Sequence, residues 1–176
     1  MKKEDFDQVY KILDESFPEE EKRNYEEQFS LLNDKRCKIF VERDKNGKII
    51  VFFSVWVFDN FCFGEHLATD KNYRNLGLGK KLLESCLKYF DKPFILEVEP
   101  PRDEMSIRRI NFYKRLGFYL NNFEYKQPAL QKHTHPCDLY VMSYPSLLSK
   151  SEFLYFRNEI FKNIYKVLPS SVGLKD

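Results

Sequence analysis

Gly77 and Gly79 stand two apart in Arg74-Asn75-Leu76-Gly77-Leu78-Gly79-Lys80, a basic stretch between a strand-like run and a helix-like run. Glycines at such a junction let the backbone adopt conformations that other residues avoid and approach a ligand closely. The N–H groups of the following helical turn have no partner within the helix, and the helix dipole favours an anion beside them. The chemistry on offer is capture of a phosphate or diphosphate.

Three glycine-rich loops compete for this stretch. A P-loop fails twice, because Lys81 follows Gly79-Lys80 where Ser or Thr is required and Arg74 stands where its first glycine belongs. The dinucleotide fingerprint fails because Leu82 occupies its third glycine position. The pattern [Q/R]-x-x-G-x-G is met by Arg74, Gly77 and Gly79. A second motif follows downstream, Asn111-Phe112-Tyr113-Lys114-Arg115-Leu116-Gly117-Phe118, a helix ending in F-Y-x-x-x-G-F. Gly117 suits a helix C′ position, and Phe118 would open the next strand.

Together these motifs resemble those of the GNAT (Gcn5-related N-acetyltransferase) superfamily. The resemblance covers roughly residues 4–145. It is closest to small bacterial members with runs such as Ser16-Phe17-Pro18-Glu19-Glu20-Glu21-Lys22-Arg23 and Leu96-Glu97-Val98-Glu99-Pro100-Pro101. It implies an α+β fold with a mixed, mostly antiparallel sheet flanked by helices. One parallel pair of strands in that sheet splays apart to admit the acetyl-pantetheine chain. It also implies an acyltransferase that moves an acetyl group from acetyl-CoA to a primary amine by direct attack in a ternary complex. A catalytically silent acyl-CoA-binding or regulatory domain is the alternative. In the enzyme reading the N–H groups of Asn75, Leu76, Gly77, Leu78, Gly79 and Lys80 hold the cofactor phosphates. Arg74 and Lys80 add positive charge, and the backbone of Leu67, Ala68 and Thr69 pairs with the pantetheine.

Amide formation from a thioester requires a held cofactor, a neutral amine and a protonated leaving thiolate. A lysine-like amine has a pKa of about 10.4 and is mostly charged at neutral pH, so a carboxylate is wanted as base. Glu65, in Phe63-Gly64-Glu65-His66-Leu67-Ala68-Thr69, is the first candidate base; the competing reading is a strand-face ion pair. His66 would face away from it in a regular strand and reads as a hydrogen-bonded structural histidine. Glu97 and Glu99 share a strand face at i, i+2 and could bind a cationic amine or remain solvated. Tyr113 is the candidate general acid for the departing thiolate.

The substrate side of the family is built from the first two helices and a loop near the last strands. Here those segments bring Glu19, Glu20, Glu21, Glu26 and Glu27 together with Tyr25 and Tyr125. An acidic, aromatic rim suits a cationic amine, either a small molecule or a peptide N-terminus, and Tyr25 is its candidate contact. His133-Thr134-His135-Pro136-Cys137 holds metal-ligand types, yet no partner cluster stands elsewhere, so a polar hairpin loop is expected and no metal.

The elements that must position these groups follow from periodicity. Helices are expected over Asp5–Ser16, Glu19–Leu32, Gly79–Phe90 and Glu104–Leu116, with an added amphipathic helix over Ser151–Val167. That last helix could cover the sheet or form a homodimer contact. Strands are expected over Cys37–Glu42, Lys48–Phe58, Cys62–Thr69, Phe94–Glu99, Phe118–Tyr125 and Leu139–Tyr144, with Asp44-Lys45-Asn46-Gly47 as a hairpin turn. The family's opening strand is nearly absent, because only Met1–Lys3 precede the first helix.

The 176 residues suffice for one domain, 1–176, with a core, and 43% hydrophobic and 16% aromatic content exclude a disordered chain. Basic and acidic residues nearly cancel, 29 against 27, which gives no drive toward nucleic acid. No apolar run approaches membrane-spanning length, and Met1-Lys2-Lys3-Glu4-Asp5 lacks the apolar stretch of a signal peptide, so none is expected. Cys37, Cys62, Cys86 and Cys137 are scattered and read as reduced thiols of a cytoplasmic protein, two or three of them buried.

Overall fold

The computed structural model of the protein describes residues 1–174. The chain forms two compact units, Met1–Lys92 and a second beginning at Pro93.

In the first unit, helix α1 (Lys3–Ser16) is followed by a short 3-10 turn (Glu19–Glu21) and helix α2 (Tyr25–Ser30). Three antiparallel strands come next: β1 (Cys37–Arg43), β2 (Ile49–Val57) and β3 (Cys62–Thr69). β2 is the core strand. Its run Ile49-Ile50-Val51-Phe52-Phe53-Ser54-Val55-Trp56 is buried throughout, as a strand covered on both faces must be. α1 turns Phe6, Val9, Ile12 and Leu13 inward, and Val9, Ile12 and Leu13 pack with Ile49, Phe52 and Ala68. The β1–β2 turn is set by Asp44, whose Oδ1 accepts from the N–H groups of Asn46 and Lys48 at 2.9 Å, while Gly47 takes φ +82°. Helix α3 (Leu78–Phe90) closes the unit and buries Leu82, Leu83, Cys86 and Leu87.

In the second unit, β4 (Phe94–Val98) and β5 (Tyr119–Asn121) both pair antiparallel with β8 (Tyr140–Tyr144). Met142 stands opposite Leu96 on one side and Leu120 on the other. Helix α4 (Glu104–Arg115) lies between β4 and β5 in the chain and starts at a capping box formed by Asp103 and Ser106. A short hairpin, β6 (Lys126–Gln127) with β7 (Cys137–Asp138), carries His133 and His135 in its loop. Helix α5 (Lys150–Ile160) begins at a second capping box, Ser149 with Glu152.

Three expected elements are shorter than their patterns suggested. The helix over Glu19–Leu32 breaks at Lys22, which is extended, and restarts at Asn24, whose side chain accepts from Glu27 N at 2.9 Å. The strand over Phe118–Tyr125 stops at Asn121. There the side-chain amide takes over from the ladder, donating to Ser143 Oγ at 2.9 Å and accepting from Leu148 N at 2.9 Å. The added helix ends at Ile160, widens into a π-turn over Phe161–Tyr165, and stops at Lys166 in the left-handed region. Among the described residues no strand precedes α1, and no helix is long and apolar enough to cross a membrane.

Candidate functional site

The segment from Thr69 to Lys80 has the backbone geometry an anion cradle requires. β3 ends at Thr69, and Asp70 caps a 3-10 turn (Lys71–Tyr73) by accepting from Asn72 N at 2.9 Å. Asn75 and Gly77 then take positive φ, 64° and 73°. Gly77 is the N-cap of α3 and supplies no side chain to satisfy the helix start. The first helical hydrogen bond runs from Lys81 N to Gly77 O at 3.0 Å. The N–H groups of Leu78, Gly79 and Lys80 therefore precede the helical ladder and point along its axis, where the dipole favours negative charge. Gly79 sits so that a Cβ would lie 3.6 Å from Thr69 Oγ1, and nothing lies within 4 Å of one on Gly77. Leu76 is 67% exposed.

The cations around the loop divide. Lys80 is exposed, with Glu84 one turn away at 3.9 Å. Arg74 turns back instead: its Nε donates to Thr69 O at 3.3 Å and a terminal nitrogen lies 3.5 Å from Ser16 Oγ. It braces the loop between β3 and the end of α1.

Glu65 is placed otherwise than an idle base. Its Oε1 accepts from Arg23 at 2.7 Å and its Oε2 accepts from Trp56 Nε1 at 2.9 Å, with both side chains of the Arg23–Glu65 pair less than a tenth exposed. Burial by itself would push this carboxyl up. The nearby Arg23, His66 and Trp56 outweigh it and hold the group below the usual carboxylate range. The competing expectation, an ion pair on the strand, is what the geometry contains.

The expectation that His66 faces away from Glu65 is overturned. Ser54 stands opposite His66 and Val55 opposite Gly64, so Glu65 is the extra residue of a β-bulge. The bulge cancels the alternation and brings His66 Nδ1 to 3.9 Å from Glu65 Oε2. His66 is buried, and its Nε2 donates to Glu21 O at 2.8 Å. Burial holds its pKa below the ordinary histidine value.

In the second unit, Tyr113 lies on α4, half-buried, edge-on to Phe112 and Phe118. Burial pushes its phenol up to about 12, with Arg109 pulling the other way. Glu97 and Glu99 do not act as a pair on one face. β4 ends at Val98, so Glu99 lies past the strand and accepts from Arg109 of α4. Glu97 accepts from the hydroxyls of Tyr125 and Tyr165. Tyr125 is therefore a buried partner of Glu97 and not part of an exposed rim. Tyr25 is half-buried, with its hydroxyl donating to Asp7 and Lys3 Nζ 5.6 Å from its ring centre. Glu19, Glu20, Glu26 and Glu27 are exposed.

Sequence reasoning missed Arg23 and Tyr165. An arginine in a glutamate-rich run and a tyrosine within an expected helix carry no local mark of a distant carboxylate partner. For Arg23 the signal would have been a buried cation's need for one.

A strand ending in a left-handed loop whose amides open a helix, in an α+β chain, is an arrangement that can receive an anion. The family model for the acetyltransferase (GNAT) family matches residues 6–118. The chain is 31% identical over 160 residues to YjbC of Bacillus subtilis (strain 168), which carries an acetyltransferase description; the match covers 89% of this chain and 80% of that protein. A solved GNAT-family structure from Bacteroides thetaiotaomicron is 32% identical, covers 94% of each chain and superposes with a TM-score of 0.85. Arabidopsis thaliana NAA60, solved in complex with acetyl-CoA, shares the fold at 17% identity and a TM-score of 0.62, covering 82% of this chain and 94% of that one. The chain belongs to the GNAT acetyltransferase family. Its fold is accordingly α+β, a mixed sheet with one parallel pair, flanked by helices and carrying a helix near its C-terminus.

Proposed function

We propose that this acetyltransferase uses acetyl-CoA as co-substrate and transfers the acetyl group to a primary amine by direct attack in a ternary complex. The observation that carries the reading is the start of α3, where two positive-φ residues, Asn75 and Gly77, lead into the helix and leave the Leu78, Gly79 and Lys80 amides ahead of the helical ladder without a capping side chain. That arrangement fits a diphosphate. The backbone of Leu67, Ala68 and Thr69, directly upstream, is suited to pair with an extended pantetheine, and a backbone N–H there would polarise the thioester carbonyl.

The amine must lose a proton before or during attack. Glu65 already accepts from Arg23 and Trp56, Glu97 from two tyrosines and Glu99 from Arg109. In this reading each of these carboxylates is already engaged, and the proton leaves through water. Tyr113 serves the other end of the reaction. A phenol near 12 stays protonated at neutral pH and stabilises the departing thiolate by hydrogen bonding. Exposed Glu19, Glu20, Glu26 and Glu27 favour a cationic acceptor, a small polyamine or a peptide N-terminus.

The test is release of free thiol from acetyl-CoA across a panel of small amines and peptides. Amine-dependent release is expected. Tight CoA binding by calorimetry without amine-dependent release from any class would replace the catalytic reading with an acyl-CoA-binding one. Tyr113→Phe should lower turnover about 100-fold and leave CoA affinity nearly intact; an unchanged rate removes Tyr113 from the mechanism.

A further inference from the structure

A β-bulge normally re-aims one side chain. In β3 it aims two neighbours, Glu65 and His66, at one short stretch of chain. That stretch joins α1 to α2. It contains Pro18, a single 3-10 turn and an extended Lys22, so it has little ladder of its own to hold it.

We propose that Glu65 and His66 are positioning residues that clamp the segment Phe17–Arg23 and, through it, set the affinity of the amine site. The kinetic half of this proposal rests on the acetyl-transfer reading; the clamp itself does not.

The contacts span the segment from end to end. At its start the Phe17 ring meets His66 edge-on, with centres 4.7 Å apart. In its middle Glu21 O accepts from His66 Nε2 at 2.8 Å. A carbonyl can only accept, so the proton of the neutral ring lies on Nε2. At its end Arg23 donates to Glu65 Oε1 at 2.7 Å, and Tyr10 of α1 donates to Arg23 O at 3.2 Å. Glu65 is in turn mounted rigidly, because Oε2 accepts from the indole of Trp56, a fully buried side chain of the core strand. The clamped segment holds Glu19 and Glu20 out to solvent. Fixing their backbone fixes where two carboxylates meet an arriving ammonium group, which governs binding and not bond making.

The test uses the full chain and Glu65→Gln, which keeps the shape and removes the charge. Amide hydrogen exchange over residues 17–24 should quicken about tenfold, while amides of β2 and α3 keep their protection. The KM for the amine should rise about tenfold, with kcat at saturating amine and the KM for acetyl-CoA each within about twofold. Arg23→Lys, which keeps one charged donor, should fall between wild type and Glu65→Gln in both measurements, and it carries the test if Glu65→Gln does not fold. Exchange over 17–24 unchanged in both variants overturns the clamp. A collapse of kcat at unchanged amine KM overturns it in favour of Glu65 as the base. If the wild type acetylates no amine, the acetyl-transfer reading and the kinetic half fall together, and exchange alone decides the clamp.

Discussion

Tyr165 donates its hydroxyl to both oxygens of Glu97, at 2.9 and 2.8 Å, across 68 positions of chain. Tyr165 is the last residue of the π-turn that ends the α5 segment, and Glu97 lies on β4. The pair ties the C-terminal helix to the strand that follows the first unit in the chain, with Phe153, Phe156, Arg157 and Ile160 lining the same small cavity beside Glu97.

Tyr165→Phe removes that hydroxyl and leaves Tyr125 on the carboxylate. A hydrogen bond to a charged group contributes about 1.5 kcal/mol or more, so the variant should lose about that much unfolding free energy and unfold at a lower denaturant midpoint. A midpoint unchanged in urea titration would show that the tyrosine–carboxylate contact contributes nothing net.

The two cradle glycines should respond differently to alanine. Gly77 has φ +73°, so Gly77→Ala is strained wherever the side chain points and should cost about 1–2 kcal/mol of stability. Gly79 lies inside α3, where alanine is the better helix former by up to about 1 kcal/mol, and its new Cβ would make only ordinary contact with Thr69. Gly79→Ala should therefore be at least as stable as the wild type yet, if the proposed diphosphate site is right, bind CoA more weakly, because the methyl group would stand between that backbone and the phosphate. Thermal melts beside calorimetric titration with CoA separate the two effects.

Acid should weaken the fold in two stages. His66 has a folded pKa below its ordinary 6.5, so the unfolded chain binds more protons as pH drops past that value. The stability this neutral histidine confers is complete above 6.5 and is lost as pH falls toward its folded pKa. Glu65 acts with the same sign lower down, since its folded pKa lies below 4.5 and its contribution is lost as pH falls from there. Urea midpoints between pH 8 and 5 should decline below 6.5 in the wild type and flatten in His66→Gln. An equal slope in both would place the titrating group elsewhere.

Thiol reactivity should single out Cys137. Burial pushes Cys37 and Cys86 up to about 12 and Cys62 to about 11, leaving almost no thiolate at pH 8. Cys137 is half-buried on the β6–β7 hairpin. Titration with an aromatic disulfide should modify one thiol in the native protein and four after denaturation; more than one fast native thiol would contradict the burial.

Much of this was legible in the residues. Apolar stripes such as Phe6, Val9, Ile12 and Leu13 or Leu82, Leu83, Cys86 and Leu87 located α1 and α3 within a residue or two, because a helix repeats its buried face every three or four positions. The turn into α3 was legible because Gly77 and Gly79 act on their own backbone and its immediate neighbours. The break at Lys22 was not, because the acidic run Glu19–Glu21 favours a helix start and the contacts that hold the chain off the helical path come from distant residues, Glu65 on Arg23, His66 on Glu21 O and Asp14 on Lys22. The early end of β5 was not, because it depends on Asn121 finding Ser143 and Leu148.

The amino-acid order by itself determined the strand-to-helix turn at Gly77 and Gly79, since left-handed backbone and an uncapped helix start are properties of a few consecutive residues. Only the tertiary structure decided what the carboxylates do. Glu65 meets Arg23 across 42 positions and Glu97 meets Tyr165 across 68, and such pairings exist only once the elements carrying them have packed. The bulge that turns Glu65 and His66 the same way is likewise a matter of register between two strands, which periodicity along one strand does not encode.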